Sequence, residues 1–386
     1  MTGPWTISTD DLAVLFRPLR PYTCVVLAVS GGSDSMALMH LCADWARAIG
    51  ADAPRLIVAT VDHGLREGSR DDAEFVAAAA RGLGLDAHIL SWQGEKPVQR
   101  VQERAREMRY LLLSQLAAAR PAPCAIVTAH TQDDQGETFL MRLARGSGPD
   151  GLQSMRPMRR LSDLATIFLV RPLLGLGREN LRSYLAARRI AWLEDPSNEN
   201  PKFERVRIRQ AAGTATRLGL TPPKLALAAM RQRRAVEALE AATDALQRDA
   251  LDLNRGAFAS VHAGLFASAP EELRVRLMAR LLAMFGGTAP PAELAQVERL
   301  VAAVDREAGT RATLGGCEVR SCRNTIRVFR ERGRSEFGTV ELRPGQEAVW
   351  DDRFLVRVGQ VPATVTVRAF DKSARDSLRH IRTARL

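Results

Sequence analysis

The chain has 386 residues, 46% of them hydrophobic, and a formal net charge of +11. This composition is typical of a folded protein of two or three domains, and the positive surplus favours a polyanionic partner. No apolar run approaches the roughly 20 residues of a membrane span, and five scattered cysteines without a Cys-x-x-Cys pair or a signal-peptide pattern favour a cytoplasmic location.

In the first half of the chain, short apolar runs alternate with helical patterns. The apolar runs predict strands at Cys24–Val29, Leu56–Val61, Ala87–Ser91, Cys124–Ala129 and Thr166–Val170. Helices are predicted between them, at Ser35–Ala48, Asp72–Arg81, Val98–Arg120 and Gln135–Ala144. This alternation predicts an α/β fold with a mostly parallel, doubly wound sheet, in which ligands bind at the carboxyl ends of the strands.

The second half changes character after the adjacent prolines Pro222-Pro223, which suggest a linker or a helix cap. Helices are predicted at Lys224–Leu251, Glu271–Phe285 and Ala292–Val304, and strands within Arg311–Arg330 and Thr339–Phe370. The sequence therefore predicts an α/β catalytic domain over 1–218, a mainly helical domain over 224–333 and a small β-rich segment over 336–386, shortened at its end.

A polar, glycine-containing loop follows the first predicted strand. It consists of Ser30, Gly31, Gly32, Ser33, Asp34 and Ser35. The glycines allow the backbone to approach a phosphate, the start of the next helix offers N–H groups, and the serines add hydroxyl donors. Asp34 is suited to hold magnesium against phosphate oxygens. An ordinary strand-to-helix turn is the alternative, although six such residues after a buried strand are unusual for one.

This loop differs from the Walker motif, which places a lysine after its glycines. No lysine follows Gly31 and Gly32. A cradle of serines and backbone suits the release of pyrophosphate better than the transfer of a γ-phosphoryl group.

Polar residues also end the second predicted strand. Asp62, His63 and Arg66 follow its apolar run, and we expect them near the nucleotide cleft. For each residue alone, a helix N-cap or a polar turn is the alternative.

The segment after the strand Cys124–Ala129 combines a histidine with acidic residues. If a helix starts near Asp133, then Asp134 and Glu137 share one face of it, with His130 at the strand tip. Two carboxylates and a histidine suit a cationic substrate and proton transfer. A capping box with solvated acidic side chains is the alternative.

Arginines supply further candidates. In the helix Val98–Arg120 we select Arg109 for a phosphate or transition-state contact, because it precedes an apolar run and can face the cleft. The alternating Arg205, Arg207 and Arg209 fit one face of a strand or a helix start and could grip a nucleic-acid backbone. A plain basic surface is the alternative.

One glycine-rich match is rejected. Gly146–Gly151 fits the Gly-x-Gly-x-x-Gly pattern, but no strand precedes it and Pro149 lies inside it. A mobile loop is predicted there instead of a dinucleotide site.

The loop Ser30–Ser35 resembles the signature of the PP-loop ATP pyrophosphatases, and the ordered set of motifs resembles the tRNA(Ile)-lysidine synthase family over about residues 20–330. The other segments that carry this resemblance are Val61–Arg66, Ala129–Thr138, Arg145–Gly148, Arg171–Leu174, Asp195–Asn198 and Leu314–Cys317. The family often has Arg-Asn where this chain has Arg205-Val206, so contacts at that point are not carried over.

The resemblance implies that ATP adenylates the wobble cytidine of a tRNA(Ile) with a CAU anticodon and that L-lysine then displaces AMP. The codon read changes from AUG to AUA, and the tRNA identity changes from Met to Ile. The oligomeric state stays open.

The resemblance also implies roles for the candidate residues. It places ATP at Ser30–Ser35 with Asp62 and His63, magnesium at Asp34, L-lysine at Asp134 and Glu137, and the ATP phosphates or the activated base at Arg109. His130 or a carboxylate would be the base, and the helical domain would bind tRNA.

Three alternatives stay open at this point. A tRNA thiolase of the same superfamily needs catalytic or cluster-binding cysteines near the loop, whereas Cys24 and Cys124 lie in apolar runs and Cys42 lies in a helix. An amidotransferase-type synthetase needs an ammonia source, for which we see no nucleophilic cysteine. The third is a non-catalytic RNA-binding protein with a vestigial nucleotide site, and the intact acidic residues argue against it.

Overall fold

The computed structural model describes residues 5–65, 68–94, 96–97, 101–161, 167–194, 204–254, 258–287, 290–306, 309–331, 338–351, 354–360 and 363–368. The chain divides into two compact units, Met1–Val236 and Glu237–Leu386. The division at 1–218, 224–333 and 336–386 that the sequence suggests stays a prediction.

A six-stranded sheet forms the centre of the first unit, in the order β3-β2-β1-β4-β6-β5. Its strands are β1 (Cys24–Ala28), β2 (Arg55–Asp62), β3 (Asp86–Ser91), β4 (Cys124–Thr128), β5 (Met158–Arg160) and β6 (Phe168–Val170). The first four pair in parallel, as does β6 with β4, whereas the edge strand β5 is antiparallel to β6. The predicted mostly parallel sheet is confirmed.

Helices cover both faces of this sheet. They are α1 (Thr9–Leu15), α2 (Ser33–Ile49), α3 (Ser69–Gly82), α4 (Val101–Ala118), α5 (Gln132–Ala144), α6 (Pro149–Leu152), α7 (Arg178–Ala187) and α8 (Glu204–Arg217). On one face, Leu27 of β1 packs with Trp45 of α2 and Leu181 of α7. On the other face, Val26 packs with Leu113 of α4. Since β1 is buried on both faces, it is apolar along its whole length.

The structure corrects two local expectations and decides between two stated alternatives at a third place. The antiparallel edge strand β5 was not predicted, because its residues are exposed and two of them are arginines. Part of the segment predicted as a mobile loop, Pro149–Leu152, is one helical turn that begins with proline. The alternating arginines after residue 204 lie on the helix α8 and not on a strand.

The second unit contains a five-stranded antiparallel sheet in the order β7-β8-β11-β10-β9. The long helix α9 (Pro222–Ala250) contains the boundary between the units, and the two prolines begin it. The remaining elements are β7 (Leu251–Asn254), β8 (Phe258–His262), α10 (Ala263–Ser268), α11 (Glu271–Phe285), α12 (Leu294–Arg306), β9 (Arg311–Leu314), β10 (Cys317–Ser321), β11 (Thr325–Arg330), β12 (Val340–Leu342), β13 (Glu347–Trp350), β14 (Phe354–Arg357) and β15 (Val365–Val367).

One face of the five-stranded sheet packs on α11 and α12, where Leu281, Val301 and Val328 are buried together. The last four strands form two antiparallel pairs, β12 with β15 and β13 with β14. The strands β7 and β8 were missed, because only the later part of this sheet has a clear alternating pattern. Among the described helices, none is long and apolar enough to cross a membrane.

The two glycines between β1 and α2 have different conformations and offer a matched test. Gly31 has φ of +91°, and a Cβ atom there would lie 2.7 Å from Leu193 Cδ1. Gly32 has φ of −69°, and the nearest atoms to its Cβ position are 4.0 Å away. We expect Gly31→Ala to lower the free energy of unfolding by about 1–3 kcal/mol, because the left-handed conformation and the contact are both strained.

Urea unfolding followed by circular dichroism measures this difference. Gly32→Ala is the control, and its midpoint should fall less than that of Gly31→Ala, because the cost at Gly32 is that of an alanine at the N-cap of α2. Equal midpoints for the two variants would contradict the strained geometry at Gly31.

Candidate active site

The phosphate loop, Ser30–Ser35, is fixed by its own serines. The Ser35 hydroxyl accepts a hydrogen bond from the Ser30 backbone N–H at 3.1 Å and donates one to the Gly32 carbonyl at 2.9 Å. The first-turn N–H groups of any α-helix lack intrahelical acceptors, and Gly32 at the N-cap of α2 has no side chain to accept from them. With the positive end of the helix dipole, they form an anion site.

The other candidate residues follow neighbouring strands. β1 pairs in parallel with β2 and β4, and β4 pairs in parallel with β6. The carboxyl ends of these four strands therefore meet at one edge of the sheet, where open α/β sheets bind ligands. The phosphate loop follows β1, His63 follows β2, His130 follows β4 and Arg171 follows β6.

The start of α5 is a capping box, and its acidic residues are buried. The Asp134 Oδ2 atom accepts a hydrogen bond from the Thr131 backbone N–H at 2.8 Å, and the Thr131 hydroxyl accepts one from the Asp134 N–H. Asp134 and Glu137 are only 7% and 8% exposed. The cap and the binding site considered from the sequence therefore coexist, since Asp134 Oδ2 serves the cap while Oδ1 faces the interior of the site.

Asp34, Asp134 and Glu137, the carboxylate cluster, converge on one side chain, Arg178. The Arg178 Nε atom donates to Asp34 Oδ2 at 3.0 Å, one terminal nitrogen lies 3.3 Å from Asp134 Oδ1, and the other lies 3.6 Å from Glu137 Oε1. The Arg178 side chain is 24% exposed. A residue of the phosphate loop and the two acidic residues of α5 are thus joined through one guanidinium.

A second arginine, Arg209 of α8, reaches the same cluster. It grips Glu137 with two hydrogen bonds, of 2.6 and 3.2 Å, and one of its nitrogens lies 3.8 Å from Asp134 Oδ1. Three carboxylates and two guanidiniums leave one negative charge in excess.

Asp133 anchors the backbone of Arg178. Its Oδ2 atom accepts a hydrogen bond from the Arg178 backbone N–H at 2.7 Å, which caps the start of α7. The Gln132 backbone N–H also donates to the Leu176 carbonyl at 2.9 Å. These hydrogen bonds hold the starts of α5 and α7 together. They fix the backbone of Arg178 and do not restrict the torsion angles of its long side chain.

Burial and the neighbouring charges shift the pKa values of Asp34 and Arg178. Burial raises the pKa of Asp34 above its ordinary value, although the Arg178 charge opposes that shift. For Arg178, burial alone would lower the pKa, but the charges of Asp34 and Asp134 outweigh it and the pKa is raised. Arg178 is therefore a permanent cation in the site.

His63 lies in a separate group beside the same sheet edge. Its ring packs edge-on against Trp92, with the ring centroids 6.1 Å apart, and both ring nitrogens are buried without a hydrogen-bond partner among the described residues. Burial, with the nearby positive charge of Arg109, lowers the pKa of His63 to about 4. The imidazole is therefore neutral at physiological pH and keeps both hydrogen-bonding positions for a ligand.

The neighbouring Asp62 serves the turn after β2. Its Oδ1 atom accepts hydrogen bonds from the Ser69 hydroxyl at 2.7 Å and from the Gly64 N–H at 3.0 Å. The Ser69 hydrogen bond contributes most to lowering the pKa of Asp62. Arg66, the other candidate of this segment, lies outside the described residues.

The remaining candidates are placed as follows. His130 lies at the end of β4, where its Nδ1 atom is 2.9 Å from the Thr128 hydroxyl. Arg207 is exposed on α8, while the side chain of Arg205 and the segment Asp195–Asn198 lie outside the described residues.

Magnesium is the ion that the phosphate loop implies. Within the described part of the chain, no group of three or more histidine, cysteine or acidic side chains forms a metal cluster. Magnesium bound with a nucleotide needs only one or two carboxylates beside the phosphate oxygens. Asp34, in the first turn of α2, fits that requirement.

Comparison with known proteins decides the family. A family model described as a PP-loop domain matches residues 6–215. The tRNA(Ile)-lysidine synthase of Bradyrhizobium sp. strain BTAi1 is 42% identical over 342 residues, which cover 83% of this chain and 94% of that protein. The chain belongs to the tRNA(Ile)-lysidine synthase family.

Other members of the tRNA(Ile)-lysidine synthase family match at similar coverage. The protein of Ruegeria pomeroyi is 39% identical, over 91% of this chain and 81% of its own length. Among solved structures, the U34-tRNA thiolase NcsA from Methanococcus maripaludis with its [4Fe-4S] cluster covers 60% of this chain and 81% of its own, at 14% identity and a TM-score of 0.47. A likeness at that level carries no weight for the function.

Sequence reasoning missed Arg178, although a signal for it exists. The motif Arg171–Leu174 was noted, and Arg178 begins the helix that follows it. The rule that ligands lie at the carboxyl ends of parallel strands was applied to β1, β2 and β4, but not to β6. Applied there, the rule would have pointed to the segment that carries Arg178.

We expect His63 to titrate near pH 4 in the folded protein, well below its ordinary value of 6.5. Because the folded state disfavours the protonated ring, the neutral ring stabilises the fold fully above about pH 6.5, and this contribution falls as the pH decreases toward 4. An NMR titration of the His63 Cε1 proton measures the midpoint, with His63→Gln used to assign the resonance. A midpoint at 6 or above would show that the ring is solvated.

Proposed function

We propose that the protein ligates L-lysine to carbon 2 of the wobble cytidine in the CAU anticodon of a tRNA(Ile), with ATP as the co-substrate. Family membership supports this function at the level of the whole chain. The observation that carries it at the site is the junction of the phosphate loop with two buried carboxylates through Arg178. Such a junction suits an anionic nucleotide and a cationic amino acid bound side by side.

ATP binds with its phosphates on the first-turn N–H groups of α2 and the hydroxyls of the phosphate loop. The loop has no lysine after its glycines, so the donors are the backbone and the serines. Asp34 would hold magnesium, which supplies charge neutralisation to the phosphates when bound. His63 and Arg109, beside the end of β2, are available to the nucleoside or to the target base.

L-lysine binds with an ammonium group at Asp134 and Glu137. Both carboxylates are buried, and both already hold guanidinium groups. A dicationic amino acid matches this charge, and charge-assisted hydrogen bonds in a buried site are strong. The arginines therefore mark the positions where a cationic substrate is stabilised.

The reaction has two displacements at this edge of the sheet. First, the oxygen on carbon 2 of the cytosine attacks the α-phosphate, and pyrophosphate leaves. Then the side-chain amine of lysine attacks carbon 2, and AMP departs with that oxygen. The amine must lose a proton before its attack, and His130 at the end of β4 is the proposed base.

The tRNA partner fits the net charge of +11. Arg207, exposed on α8, and its neighbour Arg205 are proposed contacts to the RNA backbone. Arg209, which the sequence grouped with them, is instead held by Glu137 of the carboxylate cluster. A tRNA substrate also makes the cytoplasm the proposed location. A thiolase reaction is not favoured, because four of the five cysteines are buried and none belongs to the site described above.

We expect Glu137→Gln to raise the KM for lysine by roughly ten- to hundredfold, since the variant removes a charge-assisted contact worth about 1.5–3 kcal/mol. Release of pyrophosphate from ATP with tRNA in the absence of lysine should persist. Lysidine formation and pyrophosphate release are measured with a tRNA(Ile) transcript, and Glu179→Gln, an exposed glutamate of α7, serves as the matched control. An unchanged KM for lysine would remove Glu137 from the lysine site, and pyrophosphate release without tRNA would contradict the proposed function.

For His130→Ala, we expect the rate of lysine transfer to fall by about 10²- to 10⁴-fold, the usual contribution of a positioned base. Single-turnover assays at saturating lysine isolate this step from binding. If the rate is unchanged, the base is another group, and a carboxylate of the site takes that role.

A further inference from the structure

Arg178 contacts carboxylates that the proposed function assigns to two different substrates. Its Nε atom serves Asp34 of the phosphate loop, and its two terminal nitrogens serve Asp134 and Glu137, the proposed lysine ligands. All three nitrogens of one guanidinium are therefore engaged, and they face both substrate sites at once.

This arrangement places Arg178 in competition with the lysine ammonium and within reach of the ATP phosphates, which attract it. A lysine ammonium that approaches Asp134 and Glu137 meets a guanidinium already held there. ATP phosphates that approach the phosphate loop meet the same guanidinium from the other side, and guanidinium forks bind phosphate strongly. Since removing one partner of a buried ion pair is costly when nothing replaces it, the movement of Arg178 is favourable only when a ligand compensates the charges.

We propose, on the basis of the function proposed above, that Arg178 couples the two substrate sites: nucleotide phosphates draw its guanidinium off the carboxylate cluster, and the lysine ammonium takes its place. Each substrate then strengthens the binding of the other. Coupling between binding sites is reciprocal and is typically about 5- to 150-fold.

The geometry assigns this role to Arg178 rather than to Arg209. In the described part of the chain, the ion pairs of Arg209 are with Glu137 and Asp134, both on the lysine side. Of the two arginines, Arg178 is the one whose ion pairs include Asp34 of the phosphate loop. Its backbone is held by Asp133, so the guanidinium can change partners without a movement of α7.

The competing explanation is that Arg178 is a static clamp that neutralises three crowded carboxylates. A clamp predicts that its removal weakens both substrates and leaves their mutual effect unchanged. Coupling predicts that removal of the Arg178 side chain tightens lysine binding in the nucleotide-free enzyme. It also predicts that nucleotide and lysine then no longer strengthen each other's binding.

Isothermal titration of the full-length protein with L-lysine separates these explanations. It is carried out with and without magnesium and an ATP analogue whose α–β bridging oxygen is replaced by methylene, so that no turnover occurs. In the unmodified protein, we expect the analogue to tighten lysine binding by about 5- to 150-fold. In Arg178→Gln, we expect lysine to bind the nucleotide-free protein more tightly than before and the analogue to change its Kd by less than about twofold.

Arg182→Gln is the matched control. Arg182 lies one turn further along α7, where its side chain is 42% exposed and pairs with the exposed Glu194. This variant should keep the full effect of the analogue. Arg178→Lys keeps the positive charge but loses the forked guanidinium, and it should fold even if Arg178→Gln does not. In this variant the analogue should change the lysine Kd by less than in the unmodified protein.

Each other outcome overturns the inference. An analogue that leaves the lysine Kd of the unmodified protein unchanged, or an Arg178→Gln or Arg178→Lys protein that keeps the full effect, shows that Arg178 does not couple the sites. Lysine that binds no form of the protein, while the analogue still binds, shows instead that the proposed function is wrong.

Discussion

The site depends on one electrostatic constraint: two buried carboxylates and a half-buried one must be kept together with cations. Asp34 lies on α2, whereas Asp134 and Glu137 lie on α5. Repulsion between these carboxylates in a poorly solvated site would drive the two helix starts apart without Arg178 and Arg209. The arginines stabilise this cluster of carboxylates in the free protein. In the proposed function they also fix the charge that the substrates must replace, so that stability and substrate recognition would rest on the same atoms.

The parallel sheet brings these residues together. Because β1, β4 and β6 are neighbours in the sheet, the segments that follow them start from the same edge. Two helix starts then fix the details, since α2 presents N–H groups at the phosphate loop and Asp133 caps α7 at Arg178. The proposed chemistry thus uses the free N–H groups and caps that any α/β fold must provide.

The sequence allowed the phosphate loop and the acidic pair to be predicted, since both are local patterns: six polar or glycine residues after a buried strand, and two acids three residues apart. The parallel sheet followed from the alternation of strands and helices. Arg178 has no such local pattern. Its segment is indicated only when the strand-end rule is applied to β6, and the position of β6 beside β4 in the sheet is a non-local property. The arginines of α8 were ambiguous for a different reason, since alternate residues fit both a strand face and the start of a helix.

A crystal structure with the methylene analogue of ATP, magnesium and L-lysine tests the central claim most directly. The account predicts the triphosphate on the N–H groups of Ser33–Ser35, a lysine ammonium at about 3 Å from Asp134 and Glu137, and the Arg178 guanidinium turned from the carboxylates to phosphate. A triphosphate bound away from the phosphate loop, or lysine bound elsewhere while Arg178 still bridges Asp34 and Asp134, would contradict it.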